Sequence, residues 1–242
     1  TRYDYSSDIV VVLDESGSMN DAFKGKGPVP DSFDESPLPD ASNNKIGKID
    51  AAKKIIRPFI QNRKDRLSLV IFGDCVIPLY PLSFNQEGFL RSFDAQKAPL
   101  GGTLIDIGLA QALIILRDSQ AKTKIIVLIS DGGGRIEEER YRIAQQMKEL
   151  GVKLYWIAVD PDEYSELLMK KFIRENLNPN FAKTIPVTDQ KGLAAAFEEI
   201  DKMERSLISY KEKSGGSIFV PLCLIVLTLA ALFYGFAAIF ND

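Results

Sequence analysis

Residues 8–18 read DIVVVLDESGS, and this stretch decides the fold. Ile9–Leu13 is a short unbroken apolar run, which suits a parallel strand buried on both faces. It runs directly into Asp14-Glu15-Ser16-Gly17-Ser18, a polar turn at the strand's carboxyl end. Outward from there the chain alternates between strand-like and helix-like stretches. Residues 20–45 are rich in Pro, Gly, Ser, Asp and Asn and read as a long irregular loop. Helical spacing follows over Ile46–Arg63, carried by Ile49, Ala52, Ile55, Ile56 and Phe59. Arg66–Phe72 and Cys75–Leu82 read as a strand pair around Gly73-Asp74, with Pro78 and Pro81 pushing the second strand to a sheet edge.

Further along, helices are predicted over Asn85–Gln96, Ile105–Arg117, Glu137–Leu150, Glu163–Glu175 and Gly192–Ser209. Strands are predicted over Lys124–Ile129, Lys153–Val159 and Phe181–Val187, and Gly151 is a good helix stop. No internal repeat interrupts this order. Repeated strand–helix alternation implies an α/β fold with a doubly wound, mostly parallel, Rossmann-like sheet.

Composition removes several functions. The 242 residues are 45% hydrophobic with a formal net charge of −3, enough for one α/β domain plus a small appendage. No basic excess of the kind a general nucleic-acid binder carries is present, so no nucleic-acid partner is expected. Histidine is absent, which excludes an imidazole base or a histidine metal ligand. Cys75 and Cys223 lie in dissimilar segments and are not expected to pair. The chain begins at Thr1 rather than methionine and is expected to be processed, truncated or missing an upstream segment, and a lost upstream membrane span would change the topology.

Residues 217–240, SIFVPLCLIVLTLAALFYGFAAIF, carry no charge. As a helix they would be about 36 Å long, sufficient to cross a bilayer core of about 30 Å. Pro221 falls in the first turn, where proline is tolerated. The sequence thus divides into a domain at 1–208, a linker at 209–216 and a transmembrane helix at 217–240 that places the chain in a lipid bilayer. Lys211 and Lys213 precede the span and only Asn241 and Asp242 follow it, a weak bias towards a cytoplasmic domain.

The oxygen-bearing residues gather where open α/β sheets bind ligands, at the carboxyl ends of strands. Asp14, Ser16 and Ser18 follow the first strand, and Asp131 with Gly132, Gly133 and Gly134 follows LIS. Between them, Leu100-Gly101-Gly102-Thr103 opens the Ile105 helix. Hydroxyls and carboxylates are hard ligands, suited to Mg2+, Mn2+ or Ca2+. A metal held mainly by neutral hydroxyls keeps most of its charge and favours an Asp or Glu from a protein partner. No nucleophile or base is needed for such binding.

With Asp14-Ser16-Ser18 as D-x-S-x-S, the loop ending at Thr103, and strand-end Asp131, residues 8–208 resemble von Willebrand factor A (VWA) domains with a metal-ion-dependent adhesion site. The resemblance implies that Ser16, Ser18 and Thr103 contact the metal, with Asp14 and Asp131 holding it directly or through water. The tail EEIDKMERSLISYKEK before a membrane span resembles bacterial Bat-type VWA proteins. SGSMNDAFKGKG, LISDGGGRIEEE and KLYWIAV resemble the VWA protein encoded with methanol dehydrogenase, the MxaC type. These resemblances imply a bacterial inner-membrane protein working with a MoxR-type AAA+ ATPase and other membrane subunits, in maturation or assembly of an enzyme complex. They imply a periplasmic domain, against the local charge bias. The Gly-Gly-Gly after Asp131 departs from the more usual Asp-Gly-Glu of the family.

Two other functions compete. A Mg2+-dependent phosphatase of haloacid-dehalogenase type also places an Asp after its first strand, but needs a second acid where Ser16 stands. A structural membrane subunit with a vestigial metal site would not need all of Asp14, Ser16, Ser18, Thr103 and Asp131. Other residues have plainer readings. The acidic stretch from Asp31 to Asp40 is a solvated insertion or a partner-selecting loop. Asp106 belongs to the first turn of its helix or adds charge to the site. Glu15 is expected to be exposed and Trp156 to be core, and Cys75 is read as a strand-end residue without redox duty. Lys24-Gly-Lys-Gly lacks phosphate-loop spacing.

Overall fold

The computed structural model describes residues 7–23, 47–61, 63–95, 100–132, 139–161, 163–177 and 180–215. The expected transmembrane segment 217–240, most of the 20–45 loop, the acidic stretch 31–40 and Gly133-Gly134 lie outside these residues. Among the described residues, no helix is long and apolar enough to cross a membrane.

The apolar runs pair as strands β1 (Ser7–Asp14), β2 (Arg66–Phe72), β3 (Val76–Ser83), β4 (Thr123–Ser130), β5 (Val152–Val159) and β6 (Ala182–Val187). They form one sheet in the order β3-β2-β1-β4-β5-β6. β1 pairs parallel with both β2 and β4, β4 with β5 and β5 with β6. Only β3 is antiparallel, at the edge where Pro78 and Pro81 cost no central ladder bonds. Every residue of β1 is buried, as the unbroken run required, whereas none of β3 is.

The helices are α1 (Lys48–Gln61), α2 (Gln86–Ala95), α3 (Ile105–Arg117), α4 (Arg140–Leu150), α5 (Glu163–Asn176) and α6 (Gln190–Gly215), and α2, α3, α4 and α5 pack on the sheet. On one face Val10, Val12, Val70, Phe72, Ile126, Leu128, Leu154 and Trp156 form a core with the apolar sides of α3, α4 and α5. Period-two alternation turns Ile9, Val11 and Leu13 to the other face, where α2 packs against β2 and β3. There Phe59 of α1 meets Phe197 of α6, ring centroids 4.9 Å apart.

The α/β doubly wound, mostly parallel sheet is therefore as the sequence predicts. Gly151 closes α4 with a left-handed φ of 65°. One departure lies at the C-terminal end. Helix α6 continues past the expected end at Ser209 to Gly215, so most of the stretch read as a linker is helical. The chain divides into two units, Thr1–Glu199 and Ile200–Asp242, with the boundary inside α6.

Candidate metal centre

The strand order reverses beside β1, which sends the chain to one side through β2 and to the other through β4. The crevice at that switch point is where such sheets bind ligands. Asp14 ends β1 and is fully buried, and Ser16 beside it is buried too. One Asp14 carboxylate oxygen, Oδ1, accepts the Ser16 amide at 2.9 Å, which curls the chain back on itself. Oδ2 accepts the Ser130 hydroxyl from the end of β4 at 2.6 Å. Asp14 thus ties the two strand ends together.

The curl places the hydroxyls of Ser16 and Ser18 3.3 Å apart. A 3-10 turn over Gly17–Asn20 holds them, with the Met19 amide donating to the Ser16 carbonyl and Met19 buried beneath. The Thr103 loop is laced to the same turn. Leu100 N–H donates to the Glu15 carbonyl at 2.7 Å, and Gly17 N–H to the Gly101 carbonyl at 3.4 Å. Leu104 N–H donates to the Gly73 carbonyl at 2.9 Å. Thr103 itself is half-buried, immediately before α3.

Asp131 follows β4 and is buried, one residue from Ser130. Gly132 next to it has φ 80°, and its amide donates to the Ser130 hydroxyl. The positive φ favours glycine at 132, and a Cβ there would also be crowded, 3.1 Å from the Trp156 ring and 3.2 Å from Ser165 Cβ. Trp156 is fully buried and its indole N–H donates to the Ser130 carbonyl, supporting the site from behind.

Two lysines on α1 enter the picture without having been anticipated. The Lys48 ammonium donates to Asp131 Oδ2 at 3.1 Å, and both side chains are nearly inaccessible. Lys53 pairs with Glu15 at 3.6 Å. The expectation that Glu15 is exposed is therefore corrected: it is 4% exposed, because the turn after β1 carries it inward under α1. A signal for Lys48 did exist. It lies one helical turn before Ala52 and two before Ile56, on the face that α1 buries. Ser130, the link between Asp14 and Gly132, was legible only as the polar end of an apolar strand.

Asp106 is in the first turn of α3, and its carboxylate accepts the Ile107 amide. Cys75 is exposed in the turn between β2 and β3, with its carbonyl accepting the Gly73 amide.

The residues fit a hard divalent cation. Two neighbouring oxygens on an octahedral Mg2+ stand about 3 Å apart, given bonds of about 2.1 Å, close to the separation of the Ser16 and Ser18 hydroxyls. Asp131 and Glu15 are ion-paired, whereas Asp14 is held by a hydroxyl and an amide. Burial pushes the Asp14 carboxyl up to about 6, against the pull of Ser130 and Ser16 and with a push from the Asp131 charge. A cation nearby would relieve that cost. Among the described residues no group of three or more His, Cys, Asp or Glu side chains is placed to hold a metal ion.

Residues 8–198 match the family model of the von Willebrand factor type A domain. The chain belongs to this family. An uncharacterized protein of Borreliella burgdorferi is 30% identical over 161 residues, 65% of this chain and 42% of that protein. The VWA chain thus spans less than half the length of that relative. Two solved structures, an aerotolerance-related membrane protein from Bacteroides fragilis and BatB from Bacteroides thetaiotaomicron, each superpose with a TM-score of 0.60 at 15% identity. Each pairs 83% of this chain with 100% of that one. Proximal thread matrix protein 1 of the mussel byssus, with a zinc-occupied MIDAS motif, gives a TM-score of 0.59 at 16% identity, over 82% of this chain and 46% of its own. At such identities these structures share the VWA fold with this chain.

Proposed function

We propose that this VWA domain is a non-enzymatic, metal-dependent protein-binding module. Ser16, Ser18 and Thr103 would hold Mg2+, or Mn2+ or Ca2+, with Asp14 and Asp131 directly or at one water's remove. The observation that carries this reading is the paired hydroxyls of Ser16 and Ser18, set on the buried Asp14 and laced by backbone bonds to the Thr103 loop. A metal there supplies a concentrated positive charge, and a partner's Asp or Glu supplies the complementary ligand. Ser16 also stands where a haloacid-dehalogenase phosphatase needs its second acid, which supports binding over phosphotransfer.

The uncharged run 217–240 supports a membrane tether, with the bacterial inner membrane as its place. The Bat-like tail and the MxaC-like stretches support an adaptor or maturation role for an enzyme complex. A MoxR-type AAA+ ATPase and other membrane subunits are then the partners, and methanol dehydrogenase is the candidate client.

A pull-down from gently solubilised membranes tests the core of this. Wild type is expected to retain a partner in Mg2+ and lose it in EDTA, and Asp14→Ala is expected to retain none in either. Partners that persist in EDTA and in the variant would move the association to another surface and sink the adhesion-site reading.

A further inference from the structure

Lys48 is held where a lysine has much to lose. It is 3% exposed, and burying an ammonium is costly unless it is paired. It is also the first residue of α1, where the helix dipole disfavours a cation. Its backbone is fixed to the loop that carries the serines. Lys48 N–H donates to the Asp21 carbonyl at 2.9 Å, and Gly47 bridges Ala22. A Cβ on Gly47 would meet the Asn20 carbonyl oxygen at 2.6 Å, so the two chain segments are in close contact. The ammonium is thereby aimed at Asp131 Oδ2.

Resting on the metal-site reading above, we propose that Lys48 sets the metal affinity of this site by sharing Asp131 with the divalent ion. A carboxylate that already answers one cation attracts a second less strongly, and two cations on one buried carboxylate repel each other. Lys48 therefore weakens metal binding.

The test is Mn2+ titration calorimetry on the full chain in detergent, comparing wild type, Lys48→Met and Lys48→Arg. Lys48→Met removes the charge with little change of volume and is expected to bind Mn2+ about ten-fold more tightly or better. Lys48→Arg keeps the charge and is expected to stay within about three-fold of wild type, where ten-fold corresponds to about 1.4 kcal/mol. On an Asp131→Asn background the gain from Lys48→Met should vanish, a coupling that a merely structural lysine would not show. Should Lys48→Met fail to fold, Lys48→Gln, which can still donate to Asp131, takes its place with the same expectation. Equal or weaker Mn2+ binding by the neutral variants overturns the proposal, since Lys48 would then be structural or would position Asp131 for the metal. If wild type itself binds no Mn2+, the metal site falls and this proposal with it, an outcome distinct from a silent substitution.

Discussion

Asp14 shows how a single residue couples fold and chemistry. Its carboxylate joins β1 to β4 through Ser130 and shapes the serine turn through the Ser16 amide. Burial raises it from the ordinary 3.8 to about 6, so the folded chain holds this proton more tightly than the unfolded chain does. Between about pH 4 and 6 the unfolded state has released the proton and the folded state has not, so stability falls as pH rises, by up to about 3 kcal/mol. Asp131, Glu15, Lys48 and Lys53 face the same region, so the contribution of Asp14 is isolated by difference. Urea unfolding in EDTA should show wild type losing stability across this window relative to Asp14→Asn, and parallel curves would remove the buried-carboxylate account. Periodicity marked the strand ends and the helix start near which Asp14, Ser16, Ser18, Thr103 and Asp131 lie, and the resemblance to VWA domains singled these residues out as ligands. The inward turn of Glu15 was not legible, since its direction depends on α1, whose lysine receives it from far along the chain.

Elements hold these residues by close approach. α3 lies against the sheet at Gly108, where an added Cβ would stand 2.9 Å from the Phe72 ring and 3.0 Å from Val12 Cγ1. That contact fixes the height of α3 over β1 and β2, and with it the loop that bears Thr103. Gly108→Val would force the helix outward or the Phe72 ring off its rotamer, at a cost of about 1–3 kcal/mol. Urea midpoints should fall accordingly, and Mn2+ affinity should fall as well, because the Thr103 loop moves with the helix. Loss of stability with unchanged Mn2+ affinity would show that the loop is held by its backbone bonds to Glu15, Gly17 and Gly73, independently of the height of α3. Apolar periodicity gave α3 from Ile105 to Arg117, as found. It missed the length of α6, because a polar, charged stretch such as SYKEKSG carries no apolar period to mark a helix or its end.

For the molecule as a whole, the order β3-β2-β1-β4-β5-β6 sets the carboxyl ends of β1 and β4 side by side at the switch point, so Asp14 and Ser130 meet although they are far apart in sequence. The buried run Ile9–Leu13 made the parallel sheet legible, yet strand order rests on pairings that no local pattern encodes. This convergence has a thermodynamic consequence. A metal bound by residues from three separate loops binds only the folded chain, so it must stabilise that chain by mass action. Above its dissociation constant, each ten-fold rise in Mn2+ should add about 1.4 kcal/mol. For a domain of this size that corresponds to roughly 3–5 °C in Tm per decade. Ser16→Ala combined with Ser18→Ala should flatten the dependence, because it removes hydroxyl donors from the turn and leaves the Asp14–Ser130 tie in place. Scanning calorimetry of both proteins from EDTA to millimolar Mn2+ reads this directly. A steep dependence that survives the double substitution would locate the ion elsewhere, and a flat wild-type curve would mean that the fold gathers these oxygens without binding a metal.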